Sequence, residues 1–148
     1  MEPLRDHDPR QIGPYRLSAR LGSGGMGKVF LGFSPGSRAV AVKVVHPELA
    51  RDAALCARFR REVAAARLVS GAYTAAVLDA GEDDVPPWLA TSLVAGPSLV
   101  EEVRLHGPLP EVAAWQLAAG LMEALTAIHS CGLVHRDLTP RNVLLGAC

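Results

Sequence analysis

The sequence has few cysteines for its length, and its charges cancel. Three cysteines occur in 148 residues, and their odd number and lack of C-x-x-C spacing argue against a disulfide framework or a zinc site. We expect these thiols to be reduced and to act mostly as small core residues. Fifteen basic and fifteen acidic residues give no net charge, so the total indicates neither a nucleic acid nor an anionic membrane as a partner.

Long hydrophobic runs are also missing. The longest uncharged run, residues 85–100, contains three prolines and is too short and too broken to span a bilayer. The first ten residues mix acids, bases and prolines, which is unlike a secretory signal. Hydrophobic residues make up 49% of the chain, enough for a sizeable core. We therefore expect a globular, cytoplasmic protein with no membrane segment in this chain.

A cluster of glycines lies between two strand patterns. Residues 15–21 alternate apolar with polar side chains, and residues 28–32 resume as a second strand. Between them the chain spells G-x-G-x-x-G-x-V, which begins at Gly22 and ends at Val29. Glycines suit a hairpin flap over a ligand because they allow positive φ and leave no Cβ between backbone N–H groups and a phosphate.

The glycine pattern alone is a weak signal, and a hairpin turn without a ligand is an open alternative. Two other phosphate-binding classes fit worse. A dinucleotide-binding fold needs a helix after the glycines and an acidic residue about twenty positions on, whereas here a strand follows and that region carries Lys43. A P-loop needs a hydroxyl where Val29 stands, and valine cannot bind a metal.

Lys43 lies inside a β-branched run, residues 38–45, that predicts a strand. A lysine in an apolar strand is costly unless its ammonium group meets an anion. The alternative is a lysine at the edge of a sheet with its ammonium group in solvent. The chain has one other lysine, Lys28, so a site that needs a lysine has two candidates.

A helical pattern follows over residues 51–69, and Glu62 lies beside its apolar face. The apolar face is formed by Leu55, Phe59, Val63 and Ala66. A surface ion pair between Glu62 and Arg58, four residues earlier, is one open interpretation of this glutamate.

Two more strands complete the first part of the chain. Residues 75–81 and 87–94 have strand patterns around a polar turn, which predicts a five-stranded sheet with one helix. Gly96 and Pro97 then interrupt the pattern.

The second part of the chain is predicted to be helical. Residues 98–106 form a short helix, and a long helix begins at Pro110 and stops at Cys131 and Gly132. A short strand is expected at residues 143–145. The apolar stripe of the long helix, which we expect in the core, is Leu117, Leu121, Leu125 and Ile128.

The sharpest motif is H-R-D-L-x-x-x-N, which begins at His135 and ends at Asn142. Taken alone, it has an alternative as a polar turn with exposed charges. The glycine segment, Lys43, Glu62 and this motif follow one another in the chain in the order found in protein kinases. Together they resemble the catalytic domain of eukaryotic-type (Hanks-type) serine/threonine protein kinases. The resemblance covers residues 14–148 and is strongest to bacterial, actinomycete-like members.

The resemblance implies an α+β, protein-kinase-like fold. Residues 14–94 are the expected N-lobe, a five-stranded antiparallel sheet with one long helix. Residues 95–148 are the expected hinge and the start of an incomplete helical C-lobe. Residues 1–13 are expected to be a flexible lead-in.

The resemblance also implies ATP, Mg²⁺ and a protein substrate with a serine or threonine hydroxyl. Asp137 is the expected base, Lys43 held by Glu62 contacts the phosphates, and Asn142 binds a magnesium ion. His135 and Arg136 are expected to brace the catalytic loop. The residues expected around the nucleotide are Leu21, Gly22, Ser23, Gly24, Gly25, Gly27, Val29, Ala41, Lys43, Thr91, Ser92, Val94 and Leu144.

The sequence departs from the kinase pattern in two ways. Thr139 stands where serine/threonine kinases usually carry a lysine, and Arg141 is the expected substitute. The D-F-G and A-P-E segments are not reached before Cys148. We therefore expect an incomplete catalytic domain that is inactive by itself. The alternatives are a non-catalytic, pseudokinase-like nucleotide-binding remnant and a degenerate product without function; the oligomeric state is not predicted.

Overall fold

The computed structural model describes residues 1–146 and divides into two compact units. The sheet unit comprises residues 1–67 and 76–93, and the helical unit comprises residues 68–75 and the chain from residue 94 onward. Within residues 1–146, no helix combines the length and the apolar character that crossing a bilayer requires. Cys56 and Cys131 are free, half-buried thiols, whereas Cys148 lies outside the described residues.

The sheet unit is built on one antiparallel sheet of seven strands. The strands run in the order β1-β3-β4-β5-β7-β6, and β2 also pairs with β3. The five strands predicted from the sequence are all present, as β3 to β7. The strand bounds are β1 Glu2–Pro3, β2 Gln11–Ile12, β3 Tyr15–Ser23, β4 Gly27–Phe33, β5 Ala39–Val45, β6 Val77–Gly81 and β7 Trp88–Ser92.

The two faces of the sheet differ in burial. One face is the main apolar core, because successive side chains of a strand alternate between the faces and one set is almost fully buried. This set includes Phe30, Val42 and Ala90, each at most 1% exposed. The other face is partly covered by helix α1, Ala53–Leu68, through Phe59 and Val63.

Helix α1 begins where the sequence predicts a change from strand to helix. The carboxylate of Asp52 accepts hydrogen bonds from the backbone N–H groups of Ala54 and Leu55, at 2.9 and 3.2 Å. This is an N-cap, which satisfies donors that the first turn leaves without a partner. As predicted, Phe59 and Val63 are buried on the apolar face of the helix.

The first thirteen residues differ from the predicted flexible lead-in. Strands β1 and β2 lie in this segment and both pair with β3. Leu4 and Ile12 pack against the main core, and the side chain of Asp8 is fully buried. Their periodicity is too short to detect because the two strands have only two residues each.

The helical unit contains helix α2, Leu99–His106, and helix α3, Glu111–Ser130. Helix α2 begins with a capping box in which Ser98 and Glu101 satisfy each other's backbone N–H groups. Helix α3 is followed by Gly132, which has a φ of +73° that favours glycine over other residues.

The apolar stripe of α3 is less buried than predicted. Leu117, Leu121, Leu125 and Ile128 are half-buried, and no residue of α3 is fully buried within the described part of the chain. Trp115 on the same helix is 70% exposed. The prediction that the stripe forms a core is therefore only partly met.

Candidate functional site

The glycine-rich segment forms the turn between β3 and β4, as predicted. The N–H group of Gly24 donates to the carbonyl of Gly27 over 2.9 Å, which closes the hairpin. A Cβ atom built on Gly22, Gly24 or Gly25 would meet no protein atom within 4 Å. Open space therefore lies on that side of the hairpin, where a phosphate can approach backbone N–H groups other than that of Gly24.

Gly27 differs from the other three glycines. A Cβ atom at this position would overlap the backbone carbonyl oxygen of Val44 and lie 2.9 Å from its carbonyl carbon. Gly27 also pairs with Val45 across the β4–β5 ladder. The absence of a side chain at Gly27 thus permits close approach of two strands, whatever its contribution to ligand binding.

The register of the sheet places several predicted nucleotide residues on the same face. Val29 lies directly opposite Lys43 in the β4–β5 pair. Ala41 lies directly opposite Thr91 in the β5–β7 pair, two positions along the strand from Lys43. Because residues i and i+2 of a strand share a face, these four side chains line one half-open surface beside the glycine hairpin.

Lys43 and Glu62 do not form the predicted ion pair in this structure. Glu62 instead accepts from the Nε of Arg58 over 2.9 Å, the alternative that the helical spacing allowed. Both side chains of that pair are exposed, Arg58 by 62% and Glu62 by 45%. An exposed i,i+4 pair contributes only about 0.3–0.5 kcal/mol, so little opposes its exchange for another partner.

The remaining predicted contacts of the nucleotide are spread over both units, and each is described within its own. In the sheet unit, Leu21 is 37% exposed and Ser23 pairs with Lys28 at the end of the hairpin. The N–H group and the hydroxyl of Ser92 are both engaged by the backbone of Ala76, at 2.8 and 3.0 Å. The backbone N–H of Ser92 is therefore engaged within the sheet unit, whereas its hydroxyl, which accepts from Ala76, keeps its own O–H donor.

Two more of the predicted contacts belong to the helical unit. Val94 is half-buried, and Leu144 is 48% exposed and forms an isolated bridge with Ser98.

The H-R-D-L-x-x-x-N segment brings its two key side chains together. The amide nitrogen of Asn142 donates to the carboxylate and to the carbonyl oxygen of Asp137, both over 2.9 Å. This uses both amide hydrogens and leaves Oδ1 of Asn142 as the atom that can ligate a cation. The N–H group of Asp137 donates to Nδ1 of His135 over 3.3 Å, which agrees with a bracing role for the histidine.

Helix α2 supports this catalytic loop from within the same unit. The N–H groups of Leu99 and Val100, in the first turn of the helix, donate to the carbonyls of Val143 and Pro140, at 2.8 and 3.2 Å. The loop thereby satisfies donors that the helix cannot satisfy itself. Hydrogen bonds from Ser98, the backbone bond foremost, lower the pKa of Glu101, which favours the charged form of the capping carboxylate.

The loop carries exposed polar groups besides Asp137 and Asn142. Arg141 is exposed, whereas Thr139 is half-buried and its carbonyl accepts from the N–H of Asn142 over 2.9 Å. No group of three His, Cys, Asp or Glu side chains in residues 1–146 lies close enough to hold a metal ion. Asn142 is an amide and so not one of these residue types, and its Oδ1 can still ligate a cation.

Sequence reasoning missed three polar residues around the glycine hairpin that lie outside the motifs, Asp8, Arg20 and His46, and it named Lys28, inside the glycine motif, only as a candidate lysine. Asp8 accepts from Arg20 over 2.5 and 2.6 Å and from Lys28 over 3.4 Å. The hydrogen-bonded Arg20 guanidinium, foremost, holds the pKa of Asp8 well below its usual range. The sequence marks Asp8 only as one of three acids in an otherwise unpatterned segment.

Comparison with known proteins identifies the family. The protein kinase domain model matches residues 15–147. The chain belongs to the protein kinase family. The kinase chain is 56% identical over 147 residues to the probable serine/threonine-protein kinase PkwA of Thermomonospora curvata. It is 55% identical over 145 residues to the serine/threonine-protein kinase AfsK of Streptomyces griseus. The predicted family, with its similarity to bacterial members, is confirmed.

Solved structures agree with the kinase fold. The chain is similar to the PknI kinase domain of Mycobacterium tuberculosis, with a TM-score of 0.76 and 32% identity over 92% of this chain. It spans 57% of that chain. The match to PkwA includes 99% of this chain but only 20% of PkwA. The match to AfsK includes 98% of this chain but only 18% of AfsK. The predicted α+β kinase-like architecture is confirmed, for the part of the domain that the chain covers.

Proposed function

We propose that this chain supplies the nucleotide site and the catalytic loop of an ATP-dependent serine/threonine protein kinase. The observation that carries the proposal is the sheet register, which sets Lys43 opposite Val29 and two positions from Ala41, beside the open glycine hairpin. A buried-face lysine would be hard to explain without an anion, whereas one on a half-open face beside backbone N–H groups suits a phosphate.

ATP with Mg²⁺ supplies the transferable phosphoryl group and neutralises part of its charge. Around it, backbone N–H groups of the segment from Gly22 to Gly25, other than that of Gly24, donate to phosphate oxygens, and Lys43 adds a positive charge. Ala41, with its small side chain, leaves room for a planar base, and Thr91 limits the depth of the pocket.

The catalytic loop then acts on the substrate hydroxyl. Asp137 accepts the proton of a serine or threonine hydroxyl and orients the oxygen for attack. Asn142 orients the Asp137 carboxylate through one amide hydrogen bond, holds the Asp137 carbonyl through the other, and would offer Oδ1 to magnesium. Arg141 supplies the positive charge that Thr139 lacks.

Glu62 changes partner in this proposal. The exposed pair with Arg58 is weak, so the competing charge of Lys43 can attract Glu62 when a nucleotide orders the site. The exchange fixes Lys43 toward the phosphates. Since the phosphoryl donor is ATP, we place the catalytic part of the protein in the cytoplasm and expect a protein as substrate.

Titration with a fluorescent ATP analogue and Mg²⁺ tests the proposal. The wild-type chain is expected to bind, and Lys43→Met is expected to weaken binding by about tenfold or more because a charge-assisted contact is lost. Arg60→Met removes a cation that is 51% exposed and pairs with Asp83, and serves as the matched control. Binding that is absent in the wild type, or that is equally strong in Lys43→Met, contradicts the proposal.

A further inference from the structure

Both arms of the glycine hairpin are tied to a single buried carboxylate. Arg20 lies two residues before Gly22, and Lys28 directly follows Gly27. The side chain of Asp8 is 0% exposed and pairs with both cations, with two hydrogen bonds to Arg20.

The backbone around Asp8 holds its carboxylate in place. The N–H group of Arg5 donates to Oδ2 of Asp8 over 2.8 Å, and the N–H group of Asp8 donates to the carbonyl of Arg5 over 3.0 Å. Its own segment therefore helps to hold the carboxylate, in addition to the two cations of the hairpin.

Asp8 reaches the hairpin from the face opposite the proposed nucleotide. Arg20 and Phe30 are direct partners in the β3–β4 pair, and Lys28 lies two positions from Phe30 on the same strand. These three side chains share the buried face, because strand side chains alternate. Val29, between Lys28 and Phe30, points to the other face with Lys43. The ion pairs thus hold the arms without entering the nucleotide face.

The tip of the hairpin has a second attachment at His46. The ring Nε2 of His46 lies 2.9 Å from the carbonyl oxygen of Gly24, where its N–H tautomer donates. The backbone N–H of His46 donates to the carbonyl of Met26 over 3.0 Å. His46 directly follows β5, so the strand that carries Lys43 also restrains the glycine turn.

We propose that Asp8 and His46 are positioning residues that hold the glycine-rich hairpin in the conformation that binds the nucleotide. This inference rests on the proposed function. A glycine-rich backbone has more conformational freedom than any other, so its ordering opposes ligand binding unless other contacts supply the order beforehand. Buried, charge-assisted hydrogen bonds are strong enough to supply it.

A purely structural role for Asp8 makes a different prediction. If Asp8 stabilises the whole sheet, its substitution increases opening in every strand. If Asp8 holds the hairpin, its substitution increases opening in the hairpin more than in the central strands. Amide hydrogen exchange separates the two, because it measures opening residue by residue. The reporters are the N–H groups of Gly24 and His46, compared with those of β5 and β7.

The main variant is Asp8→Asn, which keeps the shape and removes the charge. We expect exchange at Gly24 and His46 to rise by about tenfold relative to β5 and β7, and affinity for the fluorescent ATP analogue to fall by about fivefold. Glu2→Gln, which removes an exposed ion pair with Arg5 in the same segment, is the matched control and is expected to match the wild type. Asp8→Glu keeps the charge and is expected to restore part of the affinity.

A cavity of about 480 Å³ adjoins these ion pairs and is lined by Asp8, Lys28 and His46 among other residues.

Two further variants keep the test decisive if Asp8→Asn fails to fold. Lys28→Met removes the ion pair between β4 and Asp8 and keeps the pair between Arg20 and Asp8. His46→Ala removes the side-chain contact with the carbonyl of Gly24. Each is expected to raise exchange at Gly24 by about threefold or more without changing β5. Unchanged hairpin exchange in these variants, or an equal rise throughout the sheet, overturns the inference. If the wild type binds no nucleotide, the proposed function fails, but the exchange data still decide whether Asp8 and His46 anchor the hairpin.

Discussion

Gly24 and Gly27 belong to one motif but are expected to respond in opposite ways to the same substitution. A Cβ atom on Gly27 meets the backbone of Val44, with the carbonyl carbon at 2.9 Å, and Val45 Cα at 3.1 Å. Backbone atoms cannot rotate away as a side chain can, so β4 and β5 must separate. On Gly24 a Cβ atom meets nothing within 4 Å, and its φ lies outside the left-handed region.

The size of the two effects follows from these contacts. Overpacking costs about 1–3 kcal/mol, and the rigid neighbours of Gly27 place Gly27→Ala near 3 kcal/mol. For a chain of this length that corresponds to a fall in Tm of about 6–12 °C. Gly24→Ala restricts the unfolded chain without a clash. We therefore expect its free energy of unfolding to be unchanged or higher by up to about 1 kcal/mol, with a Tm that is unchanged or higher. Its affinity for nucleotide is expected to fall, because the new methyl group occupies the cradle.

Thermal unfolding followed by tryptophan fluorescence provides the assay. Trp88 is 4% exposed in the sheet unit, and a Trp115→Phe background removes the signal of the exposed tryptophan on α3. Equal loss of stability in Gly24→Ala and Gly27→Ala would refute the assignment of separate roles. Equal loss of nucleotide affinity with no loss of stability in either variant would refute it as well.

Two further predictions concern carboxylates. Asp52→Ala removes the N-cap of α1 and is expected to lower the free energy of unfolding by about 1 kcal/mol, measured by urea denaturation, with Asp83→Ala as an exposed control. An unchanged urea midpoint would contradict this role of Asp52. The pKa of Asp8 is lowered in the folded state, foremost by its hydrogen bonds to Arg20. Its contribution is therefore complete above the unfolded pKa of about 3.9 and is lost as pH falls toward the folded value. The Tm difference between the wild type and Asp8→Asn is expected to shrink below about pH 4, and a constant difference down to about pH 2 would contradict the pairing.

The strand and helix predictions succeeded where local pattern was long enough to detect. The alternation over residues 15–21 and the β-branched run that contains Lys43 became β3 and β5. Both signals arise from a covalent property, the alternation of side chains along an extended chain, and need no knowledge of distant residues. The apolar face of α1 is likewise a local signal, because it arises from the spacing of three and four residues along a helix.

The first thirteen residues show the limit of that reasoning. Two strands of two residues are too short to alternate, so the segment looked flexible. The partners of Asp8 are 12 and 20 residues away, and only the folded chain brings them to its carboxylate. A buried charge of this kind leaves no local mark in the sequence.

The sequence by itself determined the family, the order of the elements and the identity of the motif residues, because motif spacing and side-chain period are properties of neighbours along the chain. The tertiary structure decided which residues meet. It set Val29 opposite Lys43 through the β4–β5 register, paired Glu62 with Arg58, and made Gly27 a packing residue. Register and long-range contacts depend on the simultaneous position of several strands, and no single stretch of sequence contains that information.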